Sequence, residues 1–133
     1  MTILSPGLKE TLARCLAGRP EIRFALLYGS AAEGTSFRDL DIAVYVERKS
    51  VPPARDWAYA FALADDISSV VPYPVDVSVI NDAPLPFRYN VSRGIPLVAN
   101  DDDALGVFLE RTWDEFLDFR PVAMRYLEEL QWA

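Results

Sequence analysis

Residues 24–46 read FALLYGSAAEGTSFRDLDIAVYV, and the rest of the chain is organised around them. Residues 24–28 and 40–46 are short runs rich in apolar, β-branched and aromatic side chains, which predicts two buried strands. Between them lie Gly29-Ser30 and a stretch of small residues reaching Gly34. Asp39 and Asp41 stand at the mouth of the second run. A carboxylate entering an apolar strand without a partner is costly, and the usual remedies are a cationic side chain or a metal ion.

The spacing favours the metal. Residues i and i+2 of a strand point to one face, about 6.6 Å apart, so both aspartates can approach one small cation from the same side. Magnesium accepts one or two carboxylates, keeps several waters and takes its remaining ligands from substrate phosphates. Gly29 permits a sharp turn and a close approach to a ligand. The Ser30 hydroxyl and the following N–H groups are then placed to hold a phosphate, the more so if residues 31–33 open a helix whose N-terminus faces it.

The segment GSAAEGTSFRDLDIAV resembles the signature of the DNA polymerase beta-type nucleotidyltransferases, written as GS, a spacer and DxD. It is most similar to the minimal nucleotidyltransferases, small proteins that are often antitoxins of HEPN-domain toxins. Residues 82–101 resemble the corresponding stretch of the same group, so the likeness runs from residue 24 to about residue 100 and extends more weakly into the tail. Two departures stand out. The spacer of residues 31–38 is shorter than the family's usual one, and Arg38 occupies a position where serine is common.

Composition sets limits on the chemistry. The 133 residues suit a single domain, residues 1–133, and at 51% hydrophobic they suffice for a core. No apolar run reaches the roughly 20 residues that span a bilayer, and the N-terminus lacks a signal-peptide layout. One cysteine, Cys15, allows no internal disulfide and fits a cytoplasmic location. Its position on an apolar helical stripe marks it as core. The absence of histidine excludes histidine-based triads and zinc sites, leaving carboxylates, hydroxyls, arginines or a metal. A net charge of −7 argues against direct binding of a nucleic-acid backbone. A nucleotide differs, because a metal and a few donors can offset its charge, and a basic protein partner is favoured too.

Ser5-Pro6 reads as a helix start, with Leu8, Leu12, Cys15 and Leu16 at helical spacing behind it. Residues 54–71 predict an amphipathic helix with Trp57, Ala60, Phe61, Ala64, Ile67 and Val71 on one side as core. Residues 74–80, PVDVSVI, predict a third strand whose valines share one face while Asp76, Ser78 and Ile80 share the other. Asp76 can complete the site as a metal ligand or as the base for an attacking hydroxyl, and the resemblance implies such a third carboxylate. A short helix over residues 84–92 and a short edge strand over 95–99 follow, and they carry Arg88 and Arg93, each within reach of a triphosphate or a partner's acid.

Residues 100–103 cap a long helix with Leu105, Phe108, Leu109, Trp113, Phe116 and Leu117 at its apolar positions. Pro121 is expected to kink or restart it. The continuation carries Tyr126, Leu127, Leu130 and Trp132, chiefly as core and secondarily as a surface for self-association or a protein partner.

The predicted fold class is therefore α/β (α+β), a small mixed sheet flanked by helices. The predicted chemistry is transfer of a nucleoside monophosphate from a nucleoside triphosphate, with Asp39, Asp41 and Asp76 as metal-binding and catalytic residues and Gly29 and Ser30 seating the nucleotide. The resemblance implies ATP and magnesium, and as acceptor a tyrosine of a partner HEPN toxin that AMP would silence. A non-catalytic antitoxin that masks its partner by binding is the alternative, and a nucleotide-sensing module is a third.

Overall fold

A computed structural model describes residues 3–132, excluding the side chains of residues 123, 126, 127 and 130–132. The elements run α1 (Pro6–Ala17), β1 (Ile22–Tyr28), β2 (Leu40–Val46), a 3-10 turn (Pro53–Arg55), α2 (Asp56–Ser68), β3 (Val75–Val79), α3 (Leu85–Ser92), β4 (Ile95–Ala99) and α4 (Asp102–Trp132). The four strands form one mixed sheet in the order β3-β2-β1-β4. β1 is antiparallel to β2 and to β4, whereas β2 and β3 are parallel and joined through α2. β4 lies at an edge, as its brevity suggests.

Both faces of the sheet are covered, which is why β1 and β2 are nearly continuous apolar runs. Leu12 and Leu16 of α1 and Leu63 and Ile67 of α2 pack with Leu27, Ile42, Val44 and Val77 on one face. Phe24, Leu26, Ala43 and Ile80 meet Val91 of α3 and Phe108 of α4 on the other. Phe24 stacks on Tyr45 with centroids 5.0 Å apart, and Tyr89 of α3 stacks on Phe116 of α4 at 3.7 Å. Ser5 caps α1 as expected, its side chain accepting from the Leu8 N–H at 3.1 Å.

Three expectations need correction. α2 begins after the 3-10 turn and ends at Ser68, shorter than residues 54–71. Trp57 and Phe61 are not core: they are 86% and 73% exposed, because Leu63 and Ile67 form the buried stripe and turn the two aromatics outward. Pro121 does not restart the last helix, which is one continuous α4 of 31 residues. The carbonyl that Pro121 leaves without a donor belongs to Leu117, itself 57% exposed, so water can satisfy it. The expected interface residues Tyr126, Leu127, Leu130 and Trp132 lie outside the described side chains.

Candidate active site

Strand register assembles the site. Tyr28, the last residue of β1, lies opposite Asp41 of β2, and Asp41 lies opposite Asp76 of β3. Paired residues share a face, so the three form a row across neighbouring strands at one end of the sheet. Alternation from Ala43 and Ile80 places the row on the α3–α4 face. Asp39, two residues before Asp41 and exposed, approaches the row from the loop. The cross-strand pairing of Asp41 and Asp76 depends on the parallel partnership of β2 with β3, which sequence spacing alone does not reveal.

Asp41 is half-buried, and its carboxyl is held above the ordinary carboxylate range. Burial contributes most, followed by the charges of Asp76 and then Asp39. The Tyr28 phenol is also raised, chiefly by burial and partly offset by a hydrogen bond with Ser78, with Asp41 and Asp76 adding to the shift. Tyr28 and Ser78 are members of the site that the motif reading passed over. The signal for Tyr28 was present: it immediately precedes Gly29-Ser30 and ends a strand facing the aspartates.

The Gly29-Ser30 turn packs directly on Asp41. Gly29 has φ 78°, in the left-handed region, and a Cβ built there would stand 2.6 Å from Asp41 Oδ2. Glycine is therefore demanded twice, by backbone conformation and by the neighbouring carboxylate. Beyond it no helix forms over residues 31–33. Ala32 and Glu33 donate N–H bonds to the Gly29 carbonyl, both at 3.1 Å, but the Thr35 N–H and hydroxyl both close on the Ser30 carbonyl. Gly34, with φ 76°, ends the segment after a single turn. Ala31 and Phe37 are buried, and the Phe37 ring meets Tyr73 edge-on at 5.1 Å. These two side chains anchor the short spacer to the core and deliver Asp39 beside Asp41.

Among the described residues no group of three metal-ligating side chains converges tightly enough to cage an ion by itself. The donors still suit magnesium: hard carboxylate oxygens on one side of an open site, with Asp41 crowded by like charge that a cation would relieve. Magnesium commonly binds through one or two carboxylates, the rest of its shell coming from water and phosphates, so no closed cage is needed. Arg88 does not serve this site. It bonds the Ala83 carbonyl, Thr112 and Glu115, clamping α3 to α4. Arg93 is exposed at the C-cap of α3, beside the site end of β1 because the next strand residue, Ile95, pairs with Leu27.

A mixed sheet that presents two carboxylates on adjacent strands against a glycine-serine turn defines a nucleotidyltransferase domain. Residues 10–103 match the family described as Polymerase beta, Nucleotidyltransferase, and the chain belongs to that family. No curated protein matches it. Solved structures share its fold. One is a chain of a toxin–antitoxin crystallised with AMP-PNP, 20% identical, with TM-score 0.69 over 92% of this chain and 98% of the other. A chain of the MntA-HepT toxin–antitoxin is 19% identical, with TM-score 0.67 over 94% and 98%. A chain of the tri-AMPylated Shewanella oneidensis HEPN toxin in complex with MNT antitoxin is 20% identical, with TM-score 0.66 over 94% and 98%. No described helix is long and apolar enough to cross a membrane.

Proposed function

We propose that this chain is an adenylyltransferase whose acceptor is a hydroxyl, in particular a tyrosine hydroxyl, of a HEPN-domain toxin that the added AMP silences. The observation that carries the reading is the pairing of Asp41 with Asp76 against Gly29 within a polymerase beta-type domain. The fold-level likeness to a toxin–antitoxin holding AMP-PNP and to a complex containing an AMPylated toxin supports the choice of nucleotide and partner.

Asp39 and Asp41 would hold magnesium, with Asp76 beside them. When bound, the ion supplies positive charge to the phosphates and to the departing pyrophosphate. Gly29 and Ser30 seat the triphosphate. The acceptor oxygen forms a bond to the α-phosphorus as the α–β bridging P–O bond breaks. Pyrophosphate leaves with that electron pair, and the hydroxyl proton passes to Asp76. Asp76 is exposed, so an acceptor hydroxyl can reach it.

A second reading, an antitoxin acting by binding alone, is favoured by the short spacer. One experiment separates the two. The chain is incubated with ATP, magnesium and a HEPN-domain toxin from the same organism, and the partner's intact mass is measured after denaturation. Covalent gain of AMP that disappears in Asp39→Asn and Asp41→Asn supports the transferase. Neutralisation of the toxin without a mass change, and equally by the double variant, refutes it.

A further inference from the structure

A groove lies beside the site. Its volume is 590 Å³, and it is bounded by Trp57, Phe61 and Asp65 of α2 and by all five residues of β3. Successive strand residues point to opposite faces, so a groove touching all five lies against the edge of β3. Among the described residues that edge has no neighbouring strand. The Pro74 carbonyl accepts from the Leu40 N–H and the Ile80 N–H donates to the Val44 carbonyl, both at 3.0 Å. Even-numbered residues of this strand thus turn their main chain toward β2. Alternation leaves the N–H and C=O groups of Val75, Val77 and Val79 on the open side.

We infer that the acceptor hydroxyl arrives on an extended peptide segment of the partner, which pairs with this open edge and seats apolar side chains against Trp57 and Phe61. The inference rests on the transferase reading above. A strand added beside β3 alternates as β3 does. A residue pairing near Asp76 whose side chain falls on the Asp76 face lies about 5 Å from it. Its immediate neighbours then point the other way, toward α2 and its two exposed aromatics. The groove therefore selects a hydroxyl residue flanked by apolar ones. Asp65 and Asp76 line the same groove, and the chain carries −7 overall, so lysine or arginine elsewhere in the segment is favoured. Asp56, the other acid of the groove, is already paired with Arg48 at 2.6 Å. Continuity with Asp76 makes the groove a route for the acceptor.

Two readouts test this with the full chain and the HEPN-domain partner that the mass assay uses. In steady-state AMP transfer, Trp57→Ala, Phe61→Ala and Asp65→Lys are each expected to raise the KM for the partner by about tenfold, with kcat within about twofold. Both aromatics are largely exposed, so their truncation leaves the core intact. In amide exchange without ATP, the partner is expected to slow Val75, Val77 and Val79 together. Wild-type KM in all three variants, or unslowed valine amides, overturns the inference while AMP transfer by the wild type leaves the transferase reading standing. If the wild type transfers no AMP, that reading falls, and the amide readout alone decides strand pairing. Protection confined to α2 points to a docked helix and overturns the extended mode. Self-association of the free chain that Trp57→Ala abolishes overturns it too, by assigning the groove to a second copy.

Discussion

Gly29→Ala is expected to separate the conformational demand on the turn from its contact with the carboxylate. The new Cβ would stand 2.6 Å from Asp41 Oδ2, and reaching the 3.4 Å of ordinary contact requires the oxygen to retreat by about 0.8 Å. The Asp41 carboxylate is the end of a rotatable side chain, so it yields at small cost to stability. The cost to folding comes instead from holding alanine at φ 78°, about 1–2 kcal/mol. That lowers the melting temperature by about 3–8 °C. Gly34 supplies the control: its φ is 76°, and nothing lies within 4 Å of the added Cβ. Gly34→Ala should lose a similar amount of stability. A misplacement approaching 1 Å at a reacting centre costs on the order of 100-fold in rate. Gly29→Ala should therefore lose ten- to a hundredfold in AMP transfer and weaken magnesium-dependent ATP binding, whereas Gly34→Ala should stay within a few fold. Thermal unfolding, calorimetric titration of ATP with magnesium, and the mass assay provide the measurements. Equal losses of activity in the two variants, or full activity in Gly29→Ala, would refute the claim that this turn positions Asp41.

Arg88→Ala should destabilise the chain by about 2 kcal/mol in denaturant unfolding, because its hydrogen bonds to Ala83, Thr112 and Glu115 tie α3 to α4. It should leave ATP affinity unchanged, and a selective loss of ATP binding would return Arg88 to the nucleotide site. Tyr59 donates to Glu21 at 2.7 Å, and its phenol is raised above 10.0 by burial first and by Glu21 second. The folded state holds the proton more tightly than the unfolded one, so this stabilisation is complete below pH 10 and declines as pH rises further. The stability difference between wild type and Tyr59→Phe should shrink above pH 10, and a difference growing with pH would contradict the assignment.

The strands were legible because their signals are local and strong. Residues 24–28 and 40–46 are apolar on both faces, and PVDVSVI alternates as a strand must. Gly29-Ser30 and the aspartates stood out because glycine and carboxylates interrupt those runs. Register was not legible. That Asp41 faces Asp76 depends on a parallel pairing across the α2 connection, and no spacing encodes it. The helix expected after Ser30 failed because Thr35 and Gly34, at the far end of the segment, outcompete its continuation. Trp57 and Phe61 misled for another reason. Apolar residues at helical spacing specify a stripe, and α2 carries two, of which Leu63 and Ile67 lie on the buried one. Arg88 looked available because ion pairs between α3 and α4 join residues 27 apart.

The open edge of β3 bears on how the chain behaves when concentrated. Val75–Val79 is a short, β-branched segment with its outer main chain unpaired, the kind of template on which a second copy can grow an intermolecular sheet. Asp76 sits within it, exposed, and is the segment's sole charge. Two such edges brought together would bring like charges into a contact that neither can leave, so this carboxylate acts as a gatekeeper against aggregation. A chain that lost Asp76 is therefore expected to come out of solution at a lower concentration than the wild type, whatever becomes of its chemistry.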